Sequence, residues 1–345
     1  MNYRSGAFVS AEYLMFKNFF KYSWLVLAVG LIIGAGLFIL QTRHSPTALV
    51  QQQNSTLSLS TQTQTVKAVQ TAKLHQGSST VSASAKVAQA AFPRPDHVVV
   101  VMEENHSYAD VIGSASAPYI NSLATQGASF TNSHAVAHPS EPNYLALFSG
   151  STQGLTSDAC PVTYTGVNLA AELIQAGDSF GGYSEDLPAV GSAACYAPSA
   201  LNALYARKHA PWVDFPALPA SINMPWTSFP SDYSTLPTIS IVVPDQVNDM
   251  HSASIQQGDT WLKNNIDSYV QWAKTHNSLL IVTWDEDDGS ASNQIPTLFV
   301  GPMVKVGAYT EAINHYTILR TLEDFYMLPY ANNSASATPI SDVWQ

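Results

Sequence analysis

Three stretches of this 345-residue chain constrain its fold more than any others: HVVVVMEENH at 97–106, ISIVVPD at 239–245 and SLLIVTWDEDD at 278–288. Each begins as an unbroken apolar run rich in β-branched residues, of strand length rather than helix length. Strands that are apolar on both faces belong to parallel sheets covered by helices on either side. Further strands are predicted over 129–136, 179–185 and 297–301, and helical spacing over 118–126, 141–149, 169–176, 258–275 and 316–327. Gly127 and Gly177 punctuate two of these helices. The alternation of strand and helix predicts an α/β architecture, a sandwich with a largely parallel central sheet and helices on both faces.

All three apolar runs end the same way. The first is followed by Glu103, Glu104, Asn105 and His106, the second by Asp245, Asp249 and His251, and the third by Asp285, Glu286, Asp287 and Asp288. One such ending is an ordinary surface turn. Three of them, at the carboxyl rim where open α/β sheets bind ligands, imply a shared polyacidic site. Buried polar groups need partners, and oxygen-rich donors with some imidazole suit a hard or borderline divalent cation of unknown identity. Alternation turns Glu103 away from Glu104, as a charged strand end. His106 and His134 read as hydrogen-bonded loop histidines, and Asp287 and Asp288 as solvated or turn-forming before Gly289. Met224 and Trp226 fall in a Pro-rich segment, PASINMPWTSFPSDY, which reads as a loop over the site or a surface excursion.

The stretch HPSEPN at 138–143 precedes the apolar run YLALFSG. Ser140 stands where a helix N-cap belongs, with Pro142 in the first turn. The same position faces free N–H groups and the positive end of the helix dipole, which suits a phosphate or an alkoxide. A divalent cation nearby would lower the hydroxyl's pKa further.

Charge is unevenly spread. Residues 1–91 carry seven Lys/Arg and one acid, whereas residues 92–345 carry seven Lys/Arg and twenty-four Asp/Glu. So acidic a main domain argues against nucleic acid as a partner, since phosphate backbones need cationic cover. Charged residues make up only 11% of the chain, which suits an exported protein in an acidic medium. Residues 22–40, YSWLVLAVGLIIGAGLFIL, are uncharged and long enough to span a bilayer. Arg4, Lys17 and Lys21 precede this run, and between Arg43 and Lys67 there is no lysine or arginine. The positive-inside rule then places 1–21 in the cytoplasm and the remainder outside. A cleaved signal peptide is the alternative reading, and it exports the same domain. Residues 41–91, rich in Ser, Thr, Gln and Ala and without aromatics, read as a flexible stalk, and 92–345 as the folded domain. The two cysteines, Cys160 and Cys195, lie in the exported part. Outside the cytoplasm such a pair is expected as a disulfide, with two separate buried thiols as the alternative.

MEENHSY, AHPSEPNYLALFSG, YSEDLP, YARKHAPW, NDMHS, GDTWL, TWDEDDG and HYTILRTLEDFY occur in this order between residues 96 and 328. Together they resemble the bacterial phosphoesterase family of acid phosphatases and phospholipases C, in the alkaline-phosphatase superfamily. The resemblance implies an alkaline-phosphatase-like sandwich, a divalent metal and a serine or threonine nucleophile. Matched motif by motif, it makes Glu104, Asn105, Asp285 and Glu286 metal ligands and Ser140 the nucleophile. His251 lies close to the transferred phosphoryl group. The resemblance makes His209 and His315 phosphate-contacting groups or supports behind the ligands, and the residues themselves offer Asp245 and Asp249 in the same roles and Lys208 as a contact to substrate phosphate or a surface lysine. Asp245 stands where the family is expected to carry asparagine. The implied activity is hydrolysis of phosphate monoesters through a phosphoserine. A phospholipase C-type phosphodiesterase is the alternative, and a surface-anchored ligand-binding protein without catalysis a further one.

Overall fold

The four valines of Val98–Val101 are fully buried, and they alternate between two cores. Val98 and Val100 join one apolar cluster, Val99 and Val101 the other. Burying each contributes about 1.5 kcal/mol or more, and both faces of the strand need a cover. The computed structural model describes residues 92–345 apart from Ala291. The expected cytoplasmic tail, membrane span and stalk lie outside the described residues. Among the described residues, no helix is long and apolar enough to cross a membrane.

The strands are β1 (His97–Glu103), β2 (Ala128–Phe130), β3 (Ser133–His134), β4 (Phe180–Ser184), β5 (Tyr196–Ala197), β6 (Tyr205–Ala206), β7 (Asn223–Pro225), β8 (Ile239–Val243), β9 (Ser278–Trp284), β10 (Thr297–Val300), β11 (Gly307–Tyr309) and β12 (Ile313–Asn314). The helices are α1 (Tyr108–Val111), α2 (Pro118–Gln126), α3 (Ser140–Ser149), α4 (Leu169–Ala176), α5 (Ile255–Ala273) and α6 (His315–Tyr326). The main sheet has the order β11-β2-β10-β9-β1-β8-β4-β7. Every neighbouring pair is parallel except the two made by β10. Helices α3, α4 and α6 cover the face of Val98, Val100 and Met102, and α2 and α5 cover the other. The largely parallel sandwich expected from the sequence is the fold observed.

Local chemistry sets the boundaries. The α5 helix starts at Ile255, ahead of the apolar periodicity, because the Ser254 hydroxyl accepts the Gln257 N–H at 3.3 Å. Its buried Trp261, Leu262, Ile266, Tyr269, Val270 and Ala273 follow helical spacing. The α3 helix stops at Gly150, whose φ of 67° is left-handed; a Cβ there would lie 1.9 Å from the Ala331 carbonyl oxygen. Two sequence expectations need correction. The extended run over 129–136 is two short strands, because Thr131 and Asn132 turn the chain between β2 and β3. The Met224 segment is no loose excursion: Asn223–Pro225 forms the sheet's edge strand, where a proline that lacks an N–H is tolerated.

Beneath α3, the face covered by α4 and α6 holds two buried acids, Glu172 and Glu323. Burial, then the neighbouring Glu323, pushes Glu172 up to about 8. Burial pushes Glu323 to about 7 against the Ser334 hydroxyl and the Ala331 N–H that it accepts. Native carboxyls raised in this way hold protons that the unfolded chain has released. Their contribution is complete below the unfolded value of 4.5 and is lost as pH rises through about 7 to 8. The melting temperature should therefore be higher at pH 5 than at pH 8, and Glu172→Gln should flatten that slope. A slope unchanged in the variant would remove Glu172 as its cause.

Candidate active site

Parallel pairing aligns Glu103 with Trp284 at the ends of β1 and β9. The next residues, Glu104 and Asp285, emerge side by side, and strand alternation directs both to the α3 face. Both are fully buried. The Glu104 N–H donates to the Asp249 carbonyl at 2.7 Å, which ties the loop after β8 to the same rim. All three acidic strand ends thus meet in space.

Ser140 is the first residue of α3 and is buried. Its hydroxyl lies 3.1 Å from Glu104 Oε2 and 3.2 Å from Glu286 Oε1. Lys208 Nζ is 3.3 Å away on another side. The N-cap reading of Ser140 is therefore corrected. Pro139 flanks the helix, and the side chain of Ser140 makes no cap. The Glu141 N–H instead donates to Asp158 Oδ1 at 3.0 Å. Alone among the site's polar side chains, the serine hydroxyl is set between carboxylates and an ammonium group.

Glu104 is the hub. Its Oε1 accepts from the Tyr144 hydroxyl at 2.7 Å and lies 2.9 Å from His209 Nε2. Burial works to raise its pKa, but His209, Lys208 and Tyr144 outweigh that and hold it at about 2. The Tyr144 ring stacks on that of His209, with centroids 4.9 Å apart. Burial, opposed by Glu104, keeps His209 below its ordinary range. Glu104, His209 and Asp249 each present a donor atom, all within 4.8 Å of one another. Asp285 contrasts with Glu104: neither of its oxygens accepts a hydrogen bond of good geometry, and burial followed by Glu104 drives its pKa well up, against the weaker pull of the nearby Glu286 N–H and Ser140 hydroxyl. Asp249 Oδ2 is likewise buried without a partner. For Lys208, burial opposes the charge, yet Glu104 and Asp158 raise its pKa above the ordinary lysine value.

The other expected residues sort by geometry. Asn105 lines a cleft of about 520 Å³ with His138, Pro139, Glu286, Asp287, Asp288 and Gly289. His251 is exposed at the edge of the site, its ring 6.4 Å from that of His209 and its backbone N–H donating to Asp249 Oδ1 at 2.8 Å. His315 is buried, with Nε2 3.1 Å from the Trp284 carbonyl, and burial lowers it to about 4. As a neutral group it braces the backbone that leads into Asp285. Asp245 closes a turn by accepting the Val247 and Asn248 N–H groups at 2.9 and 2.8 Å. Asp287 is buried and accepts the Gly289 and Ser290 N–H groups, both at 2.9 Å, while Asp288 is exposed. His134 is the expected loop histidine, bonded to Ser292 and Asn132. Glu103 does point away from Glu104, but it is not a solvated strand end. Its oxygens are buried without partners, and burial raises its pKa well above normal.

Sequence reasoning missed three contributors. His138 Nδ1 pairs with Glu286 Oε2; it adjoins the Ser140 motif, which was a usable signal. Tyr144 falls four residues after Ser140, one turn along the same helix face. Asp158 sits in a loop with no local pattern, and only the tertiary structure brings it to Lys208, at 3.0 Å. The expected disulfide is present: Cys160 and Cys195 are bonded, with Cα atoms 5.8 Å apart.

The Phosphoesterase family model matches residues 114–329, which include Ser140, Lys208, His209, Asp285 and Glu286; Glu104 and Asn105 lie just ahead of the match. The chain belongs to this family. A phosphatidylinositol-3-phosphatase from Mycobacterium tuberculosis is 52% identical over 261 residues, covering 75% of this chain and 86% of that protein. A phosphate-repressible acid phosphatase from Penicillium chrysogenum is 29% identical over 229 residues, covering 61% of this chain and 54% of the fungal protein. Among solved structures, the lipoteichoic acid synthase LtaP from Listeria monocytogenes shares the fold, with a TM-score of 0.51 at 10% identity over 74% of this chain and 77% of its own. A Vibrio parahaemolyticus protein in the alkaline phosphatase superfamily aligns with a TM-score of 0.48 at 12% identity, over 72% of this chain and 71% of its own. This phosphoesterase is a hydrolase of phosphoric esters.

The donors of the phosphoesterase fit a divalent cation. Buried carboxylates without good partners are costly, and neither Asp285 oxygen accepts a hydrogen bond of good geometry. Carboxylate, amide and hydroxyl oxygens with one imidazole are ligands that hard and borderline divalent ions accept. In chelated protein, Asp285→Asn should raise stability by about 1–3 kcal/mol, by removing the unpartnered carboxylate. The same variant should bind added divalent ions less well, as read by thermal shift. No stabilisation of the chelated variant would argue that Asp285 finds partners within the chain.

Proposed function

We propose that the phosphoesterase hydrolyses phosphate monoesters, in the manner of an acid phosphatase, with Ser140 as nucleophile and a divalent cation as cofactor. The observation that carries this reading is the placement of the buried Ser140 hydroxyl between Glu104, Glu286 and Lys208, beside the unpartnered Asp285. Held by Glu104, Asn105, Asp285 and Glu286, a divalent cation would lower the pKa of the Ser140 hydroxyl and offset phosphoryl charge. Ser140 Oγ gives up its proton to solvent and forms its bond to phosphorus as the ester P–O bond opposite breaks. The leaving alcohol oxygen takes a proton from His251 or from water. Water then cleaves the phosphoserine, restoring the Ser140 hydroxyl and releasing inorganic phosphate. His138 orients Glu286, and Tyr144 with His209 fixes Glu104, so that charge stabilisation and positioning supply most of the acceleration.

Two relatives support the monoester reading. Both are named phosphatases, and the Mycobacterium tuberculosis protein is named for a phosphorylated inositol lipid. A lipid-borne phosphate monoester is accordingly the natural substrate class we favour. The Cys160–Cys195 bond agrees with an oxidising compartment. It supports display of residues 92–345 outside the cytoplasm on the 22–40 anchor.

Purified protein should turn over a chromogenic monoester faster than the corresponding bis-ester. Chelation should abolish that turnover and a restored divalent ion recover it. Ser140→Ala should lower kcat at least about 1,000-fold. Dominant bis-ester turnover would instead establish the phosphodiesterase reading. Unchanged phosphate release by Ser140→Ala would reject the site.

A further inference from the structure

The ammonium group of Lys208 is a fixed feature of the site. Its side chain is only 11% exposed, and Nζ lies 3.0 Å from Asp158 Oδ2 and 3.3 Å from Ser140 Oγ. The other oxygen of Asp158 accepts the Glu141 N–H at 3.0 Å, so one carboxylate spans the start of α3 and the ammonium. The preceding residue locks the segment from behind. Arg207 donates from Nε to Asp214 Oδ1 at 2.9 Å and from its terminal nitrogens to the Val162 and Ala193 carbonyls at 2.9 and 3.3 Å. Its backbone N–H donates to the Cys195 carbonyl at 2.8 Å. The Cys160–Cys195 bond therefore joins the loop that carries Asp158 to the segment that carries Lys208.

Among the described residues, no other lysine or arginine contacts Ser140; its remaining polar neighbours are the carboxyl groups of Glu104, Glu286 and Asp285. A phosphoryl group bonded to Ser140 would carry its terminal oxygens next to Oγ, within reach of the same Nζ. An ammonium has three N–H donors. One faces Asp158 and one faces Ser140, which leaves a third for a phosphoryl oxygen. A phosphate monoester brings roughly −1.5 to −2 charges on three terminal oxygens near neutral pH. A diester brings one charge on two terminal oxygens, and an ester carbon stands where the third would be.

We propose that Lys208, positioned by Asp158, selects the terminal oxygens of a phosphate monoester over the ester-blocked phosphoryl group of a diester. This rests on Ser140 being the nucleophile. During transfer the Ser140 Oγ–P bond forms and the ester P–O bond breaks, while Lys208 keeps all its protons and holds a terminal oxygen throughout. Lys208 contacts substrate; Asp158 is a positioning residue that acts through it. Without Lys208, the charged side chains that contact Ser140 are all carboxylates, so a dianionic phosphoryl group loses its ammonium partner, whereas a diester loses less because it has less charge to match.

The test compares kcat/KM for p-nitrophenyl phosphate and bis-(p-nitrophenyl) phosphate in the full chain loaded with a divalent ion. Lys208→Met should lower monoester turnover about 100-fold and bis-ester turnover less than about 10-fold, so the ratio of the two falls. Lys208→Arg should keep most of the ratio. Asp158→Asn should lower the ratio less than Lys208→Met does and should add nothing in the Lys208→Met background, as coupled residues do. Far-UV circular dichroism and the melting temperature measure the folded fraction of each variant. Equal losses on both substrates would overturn the selectivity, and a further fall of the ratio in the double variant would overturn the positioning role. Wild-type preference for the bis-ester would reject the monoesterase reading separately, since Lys208→Met could still be scored for its effect on the ratio.

Discussion

Parallel pairing of β1 with β9 puts Glu104 and Asp285 side by side in the core, and most of the site exists to accommodate that pair. Two fully buried carboxylates repel each other and lose their hydration, costs that rise steeply in a low-dielectric interior. The chain answers them unequally. Glu104 receives Tyr144, His209 and the field of Lys208, and is held ionised. Asp285 receives no hydrogen bond to its side chain. This imbalance is the feature on which the proposed cation rests, and the Ser140 hydroxyl sits at the same point.

The helix that delivers Ser140 is tied to this arrangement at both ends. Its start is held by Asp158 through the Glu141 N–H, and its stop is a left-handed glycine packed on the Ala331 carbonyl. Between them, every side chain of α3 is buried. A helix so enclosed has little freedom to shift, and the Ser140 hydroxyl at its first residue inherits that rigidity. Supports lie further out: His315 on the backbone before Asp285, Asp245 in the turn before Asp249, and the disulfide across the loops that bear Asp158 and Lys208.

The sheet and the rim were legible because their signals are local. Apolar runs of strand length, each followed by acids, required neither partner nor register to be recognised, and the period of two already separated Glu104 from Glu103. What stayed hidden was long-range. Asp158 is 50 residues from Lys208, and nothing in either neighbourhood announces the other. Tyr144 reads as one more core aromatic until His209 is seen stacked on it. Glu103 looked like a charged strand end, and charge at a strand terminus ordinarily means water, yet it is fully buried with Asp259 of α5 near it. The N-cap reading of Ser140 failed for the same reason: a cap from a distant loop left the serine free for other contacts.

The sequence by itself determined that the chain forms a helix-covered, mostly parallel sheet, that acids gather at the carboxyl ends of its strands, and that a serine begins the helix beside them. It could do so because strand and helix periods, and the burial they demand, are written in residues a few positions apart. Only the tertiary structure decided which carboxylates are satisfied and which are not, and that a lysine from a separate segment meets the serine. Those outcomes depend on distances between side chains remote in sequence, which the packing of the sheet and its helices sets.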